Sequence, residues 1–353
     1  MALIRNLLNR RGKNPNRLGS FDDRQLAAAA AQFGLVPVEQ IDSDEAMAPD
    51  AAAEQVKAAV RAGTWQEAAR YLADAGRDWQ ERDRRSSLLA EEAVKDDGWL
   101  LAWRTARRED PDAALVHARS LVYLAWEIRG NAQAQGTTRE QFDGFHRVLG
   151  QAREAFGAAQ AVAGDDPCPF VAEMPLAMGL GYPHEAFEKI WAEVEKRDPH
   201  HLAAHHAALQ YWCAKWRGSH EEAEAFGRAA AAKSTPGDLL STVVLTAYFE
   251  YEISHQDLNP GEYYRGPHIV AATDAALADV AAAHEKNPHD RRLPPARHML
   301  GHFLYSQNRY AEALTQFRHS DGYAGTPPWS YYGNPAKRYA KVRDYCAAQV
   351  ARG

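Results

Sequence analysis

The chain has 353 residues, 46% hydrophobic and 25% charged, which suits about two domains or one long repeat array with a sizeable core. Asp and Glu number 47 against 41 Lys and Arg, a formal net charge of −6 that speaks against a dedicated nucleic-acid binder. No apolar run approaches the roughly 18 residues that span a bilayer. The 3 cysteines, Cys168, Cys213 and Cys346, lie far apart without a CxxC pair, so they read as reduced thiols of a cytoplasmic protein.

In chain order, residues 1–50 read as a basic leader, a short helix and an acidic linker. Met1 to Ser20 carries Arg5, Arg10, Arg11, Lys13 and Arg17 and no acid, and Ala2-Leu3-Ile4 is too short for the apolar part of a secretory signal. Gly34, Pro37 and Pro49 among acidic residues mark a loop or linker over residues 34–50. From 51 to 320 helical periodicity dominates. Leu115 to Ile128 places Leu115, Ala118, Val122, Ala125 and Trp126 on one stripe. The nearest β-branched run, Ser241 to Leu245, is short and continues into Ala247-Tyr248-Phe249. Residues 321–353 read as an aromatic Pro/Gly segment, packed by Trp329, Tyr331 and Tyr332, and a final helix.

Two recurrent series turn this into a repeat architecture. A turn residue, a bulky residue and an alanine recur as Gly63/Trp65/Ala68, Gly181/Pro183/Ala186 and Gly218/His220/Ala223. Gly181 and Gly218 stand 37 positions apart, near the roughly 34 of a tetratricopeptide repeat. The fullest copy runs through Leu300-Gly301, Leu304, Tyr310, Ala313-Leu314 and Phe317, where Gly301 and Ala313 would let two antiparallel helices approach. Asp110-Pro111, Asp166-Pro167, Asp198-Pro199 and Asn287-Pro288 each offer an N-cap followed by a proline at the first helical position. The expected fold is all-α, a tetratricopeptide-like array of antiparallel helix pairs forming an α-α superhelix.

Cys213-Ala214-Lys215-Trp216-Arg217-Gly218-Ser219-His220 is more specific than a generic repeat. With Asp198-Pro199-His200-His201 before it and Ala247-Tyr248-Phe249-Glu250 after it, this Lys-Trp-x-Gly-Ser box resembles a bacterial, actinobacterial-type tetratricopeptide-like family of unknown function. Pro328-Trp329-Ser330-Tyr331-Tyr332-Gly333-Asn334-Pro335 is similar to a tail segment of that family. The resemblance spans residues 75 to 345 loosely. It implies the fold and a cytoplasmic setting and transfers no catalytic residue.

The chain carries no phosphate loop, nucleophile elbow or dinucleotide fingerprint. His184-Glu185, His220-Glu221 and His284-Glu285 begin like HExxH, but Glu188, Glu224 and Pro288 stand where the second histidine belongs. Of 15 histidines only His117 and His146 precede residue 180. His201/His205 and His298/His302 have the i, i+4 spacing that can chelate one ion, without an identifiable third ligand. Glu252 and His255 have the ExxH spacing of di-iron bundles but lack a second copy. Counting from the close-approach positions puts His205, Trp212, Lys215, His298, His302 and Tyr305 on a groove-facing stripe; the same residues would equally fill a closed interior. Lys215-Trp216 also has a plain structural reading, with Gly218-Ser219 turning the chain into the next helix. The leading expectation is a non-enzymatic protein that binds a peptide or protein partner in a concave groove, with no cofactor and no nucleic acid. The alternative is a metal-binding protein or enzyme built on the second-half histidines.

Overall fold

Helix starts follow the capping chemistry only in part. The computed structural model describes residues 21–130, 138–255 and 257–353, so the expected basic leader of residues 1–20 lies outside them. Among the described residues there are α-helices and short 3₁₀ turns but no strand. Helix α1 (Asp23–Gln32) opens with a reciprocal capping box between Asp22 and Gln25. Contacts then divide the chain into two compact units, Pro49–Ser219 and a second made from the residues up to Ala48 with His220–Gly353. They are called here the inserted and the flanking unit. This division differs from the continuous 51–320 block expected from the repeats.

The inserted unit contains α2 (Ala51–Arg61), α3 (Trp65–Ala73), α4 (Trp79–Lys95), α5 (Gly98–Ala106), α6 (Pro111–Arg129), α7 (Arg139–Ala161), α8 (Cys168–Leu180), α9 (His184–Arg197) and α10 (Leu202–Trp212). Gly63, at φ 85°, makes the left-handed turn from α2 into α3. Trp65 then stacks on Trp103, and Ala68, Leu72 and Trp103 are fully buried. Burying a side chain the size of Leu72 stabilises by about 1.5–3 kcal/mol. The expected stripe of α6 is the buried face: Leu115, Ala118, Val122 and Ala125 are inaccessible, and Trp126 nearly so. Alongside lies α7, with α8 packed on both. Two buried arginines cross-link the helices. Arg82 pairs with Asp112 and Asp166, and Arg119 pairs with Asp83. Beyond them Phe187 of α9 stacks on Tyr211 of α10 at 3.7 Å between ring centroids.

Of the four Asp/Asn-Pro pairs, only Asp110-Pro111 caps its helix as expected; Asp166 accepts from the Cys168 amide, but Pro167 itself is the N-cap of α8 and precedes its first residue. The other two are corrected. Asp198 and Asn287 accept from the amides of His200 and His289, closing turns two residues long, and the helices begin later, at Leu202 and Leu293. The short side chain finds the nearest free amide first.

The flanking unit continues with α11 (His220–Lys233), α12 (Val243–Ser254), α13 (Pro260–Tyr264), α14 (Pro267–Lys286), α15 (Leu293–Ser306), α16 (Tyr310–His319) and α17 (Pro335–Ala351). The β-branched run at 241–245 becomes a 3₁₀ turn leading into α12. Close approach of α15 and α16 depends on Gly301: a Cβ there would lie 2.6 Å from Cζ and 2.9 Å from Cδ1 of Phe317, and nearer still to Cε1. Phe303, Phe317, Trp329 and Tyr339 form the inaccessible core around it. Residues 321–334 are non-helical apart from the 3₁₀ turn Trp329–Tyr331, and Pro335 already opens α17; the segment is anchored by Trp329. Of the two readings of the segment after α1, the loop holds, and it is anchored. Asp42 exchanges backbone bonds with Gly322 and Ala324, the Val36 amide donates to Asp321 at 2.7 Å, and Arg343 donates to the Val36 carbonyl at 2.8 Å.

Candidate functional site

The six expected groove residues fall three in each unit. In the inserted unit, His205 is buried edge-on to Trp191, 4.9 Å between centroids, and its Nδ1–H donates to the His201 carbonyl. His201 serves differently. As N-cap of α10 its Nδ1 accepts from the Ala204 amide, which leaves Nε2–H for the Trp79 carbonyl at 3.3 Å. The i, i+4 pair is therefore not a two-histidine chelate, because each ring is fixed by a different backbone group. Trp212 is half-buried, packing edge-on against His184 and Phe187, and Lys215 is exposed.

In the flanking unit, His298, His302 and Tyr305 are all interior. The Trp329 indole N–H donates to His298 Nδ1 at 2.9 Å, which puts the His298 proton on Nε2. His302 Nε2 lies 3.3 Å from the Tyr264 hydroxyl, and the ring meets Phe249 and Trp329 edge-on. Burial pushes both imidazoles down to about 3, so they are neutral, and it holds the Tyr305 phenol protonated. The stripe counted from Gly301 is thus core, not an open face. The aromatic tail joins it: the Tyr331 hydroxyl donates to Glu250 at 2.6 Å.

An open site lies elsewhere, on the inserted unit. A groove of about 600 Å³ runs among α5, α6 and α7. Its residues recur at three- and four-residue steps, Ala114, His117 and Leu121 from α6 and Gln151, Ala155 and Ala158 from α7 with Val162 at its C-cap. That spacing gives each helix one stripe toward the groove. Alanines make the floor, so an occupant's side chains can approach the helix backbones closely. Val162 is 43% exposed, and Leu124, 36% exposed, continues the α6 stripe. Together with Leu101 on α5 these are the exposed large hydrophobics found among the described residues.

Charge at the rim is unequal in availability. Arg107 lies over the Trp65 ring at 5.2 Å and reaches Asp110. The Asp110 carboxylate is already engaged by the Asp112 and Ala113 amides and the Trp103 indole N–H. Arg104 and Arg108, with Glu109 and Glu154, complete the rim. His117 is held neutral, its pKa lowered to about 4 by burial and then by Arg104. The site thus offers apolar floor, two guanidiniums and two carboxylates for recognition, with no nucleophile or titrating imidazole at physiological pH.

Sequence reasoning passed over this groove. Its signal was present in α6, which carries apolar residues on a second face, Ala114, Leu121 and Leu124, besides the buried stripe. A helix apolar on two faces has a second surface to cover. No helix among the described residues is long and apolar enough to cross a membrane. The chain matches no family model, no curated protein and no solved structure.

Proposed function

We propose that this protein is a non-enzymatic helical-repeat protein of the cytoplasm that holds a peptide segment of a protein partner in the α5–α6–α7 groove. The observation that carries the reading is the groove itself, with an alanine floor, apolar ends at Leu121 and Val162, and guanidiniums at the rim. Apolar side chains of the segment seat on the floor, and flanking acidic residues meet Arg104 and Arg108. The tetratricopeptide-like arrangement belongs to the same proposal. It is supported by the tight turn at Gly63, the close approach at Gly301 and the Lys-Trp-x-Gly-Ser resemblance. Buried thiols at Cys168, Cys213 and Cys346 agree with a reducing setting.

The test is selection of a random peptide library on the purified protein, followed by affinity measurement. The expected winners combine apolar and acidic residues. Ala158→Trp fills the floor from an exposed position, so it abolishes binding while leaving the melting temperature near the parent's. Arg104→Glu with Arg108→Glu weakens the same peptides and steepens no melting curve. Selected peptides that bind Ala158→Trp as tightly as the parent refute the groove as the docking site.

A further inference from the structure

Three side chains of different chemistry converge inside the inserted unit: Asp83 of α4, Cys168 at the first position of α8, and His201 capping α10. One donor atom from each lies within 4.8 Å of the other two. Cys168 and His201 are fully buried. Both point at one oxygen, the Trp79 carbonyl, with Cys168 Sγ at 3.6 Å and His201 Nε2 at 3.3 Å. Trp79 stands one helical turn before Asp83 on α4, so a fourth donor sits beside the three. We propose that Asp83, Cys168 and His201 form a structural site for a divalent zinc-like ion, with the Trp79 carbonyl or a water at the fourth position.

The donor set selects the metal. One thiolate, one imidazole and one carboxylate suit Zn²⁺, which takes sulfur at about 2.3 Å and nitrogen or oxygen at about 2.0–2.2 Å in a tetrahedron. Those bond lengths need the donors to draw together to roughly 3.3–3.8 Å from one another. The surroundings favour a net gain of positive charge. Asp83, Asp112 and Asp166 face two guanidiniums, Arg119 on Asp83 and Arg82 between the other two, which leaves one negative charge in excess. A divalent ion bound to the thiolate brings the cluster to neutrality. Arg119 then orients the ligating carboxylate from outside the coordination sphere.

Protons balance as follows. The Cys168 thiol proton leaves to solvent. The imidazole proton moves from Nε2 to Nδ1, freeing the Nε2 lone pair for the metal. In that tautomer Nδ1 no longer accepts from the Ala204 amide, so the metal-bound ring and the α10 cap are alternatives. One proton is released per ion. The ion ties together α4, α8 and the start of α10, adding to the Arg82–Asp166 pair and the bond from the Gln80 side-chain amide to the His200 carbonyl.

The full chain, stripped with EDTA, is titrated with Co²⁺ and then with Zn²⁺. One equivalent of Co²⁺ is expected to give the visible bands of a tetrahedral ion and a near-ultraviolet thiolate-to-cobalt charge-transfer band, both bleached by Zn²⁺. In weak buffer one proton appears per ion. Cys168→Ser loses the charge-transfer band, whereas Cys213→Ser and Cys346→Ser keep it. His201→Gln lowers Co²⁺ affinity at least tenfold, and circular dichroism checks that each variant is folded. Parent protein that shows no charge-transfer band overturns the site, whatever the variants do. A band that survives Cys168→Ser also overturns it.

Discussion

Adding a single methyl group at Gly301 is expected to destabilise the flanking unit, even though alanine is the better helix former. The new Cβ would stand 2.6 and 2.9 Å from two atoms of the Phe317 ring and closer to a third, where carbon atoms settle at about 3.5–4.0 Å. The ring must retreat by about 1 Å, but it is inaccessible and boxed in by Trp329 at 6.0 Å and Tyr339 at 5.6 Å between centroids. Overpacking of this kind costs about 1–3 kcal/mol, and replacing glycine within a helix returns about 1 kcal/mol. Because three atoms of a boxed-in ring obstruct the methyl group, the overpacking falls in the upper part of that range, about 2–3 kcal/mol, and the net loss for Gly301→Ala is about 1–2 kcal/mol, or roughly 2–8 °C in melting temperature for a unit of this size. Gly301→Leu loses more. Thermal melts and urea titrations of the full chain read the effect. In a Phe317→Leu background the cost of Gly301→Ala falls, because the obstructing ring is gone. A Gly301→Ala protein that melts at or above the parent refutes the close-approach argument, and an equal cost in both backgrounds refutes Phe317 as its cause.

Other consequences are more local. Ala313→Leu places a larger side chain at an inaccessible point of α16 and is expected to cost about 1–3 kcal/mol by urea titration. Arg82→Met strands the carboxylates of Asp112 and Asp166 in the interior, so a loss of about 3–5 kcal/mol is expected; a change under 1 kcal/mol would show that the pairs carry little. Acid is expected to act early on the flanking unit. His298 and His302 stay neutral when folded, with pKa values about 3, but take up protons at the ordinary 6.5 when unfolded. Folding stability is therefore full above pH 6.5 and falls as pH drops toward 3, by up to about 1.4 kcal/mol per pH unit for each ring. His302→Phe flattens this dependence between pH 6.5 and 5, above the main carboxylate range, and a parent whose urea midpoint is flat there contradicts the assignment.

Legibility in the sequence follows the range of the interaction. The buried stripe of α6, the cap at Asp110 and the glycine turn at Gly63 are set by neighbours within a few residues, and they were readable. Asp198 and Asn287 misled because an Asx turn and an N-cap share one side-chain chemistry, and only the backbone that follows distinguishes them. Pairing of Asp42 with residues 322 and 324 left no trace, since main-chain amides and carbonyls are common to every residue. The histidines were visible as a cluster, but whether a helix face meets solvent or the 321–335 segment depends on elements far away in sequence. Likewise the α5–α6–α7 groove exists only where stripes from three helices meet. The Asp83–Cys168–His201 set joins residues 33 to 118 positions apart, beyond any motif spacing.

The bond between Val36 and Asp321 spans 285 residues. At a synthesis rate of about 5–20 residues per second, the segment around Val36 waits about 15–60 s after leaving the ribosome before its partner is made. The stretch Pro49–Ser219 is complete long before then and carries its own core, so it is free to condense while its forerunner stays unmatched. During that interval residues 34–48 present unpaired main-chain groups. The asparagine-free, proline- and acid-bearing composition there, Pro37, Glu39, Asp42, Asp44 and Glu45, is poorly suited to adopting a wrong strand partner. What the sequence offers as a loop or acidic linker acts as a latch that tolerates delay.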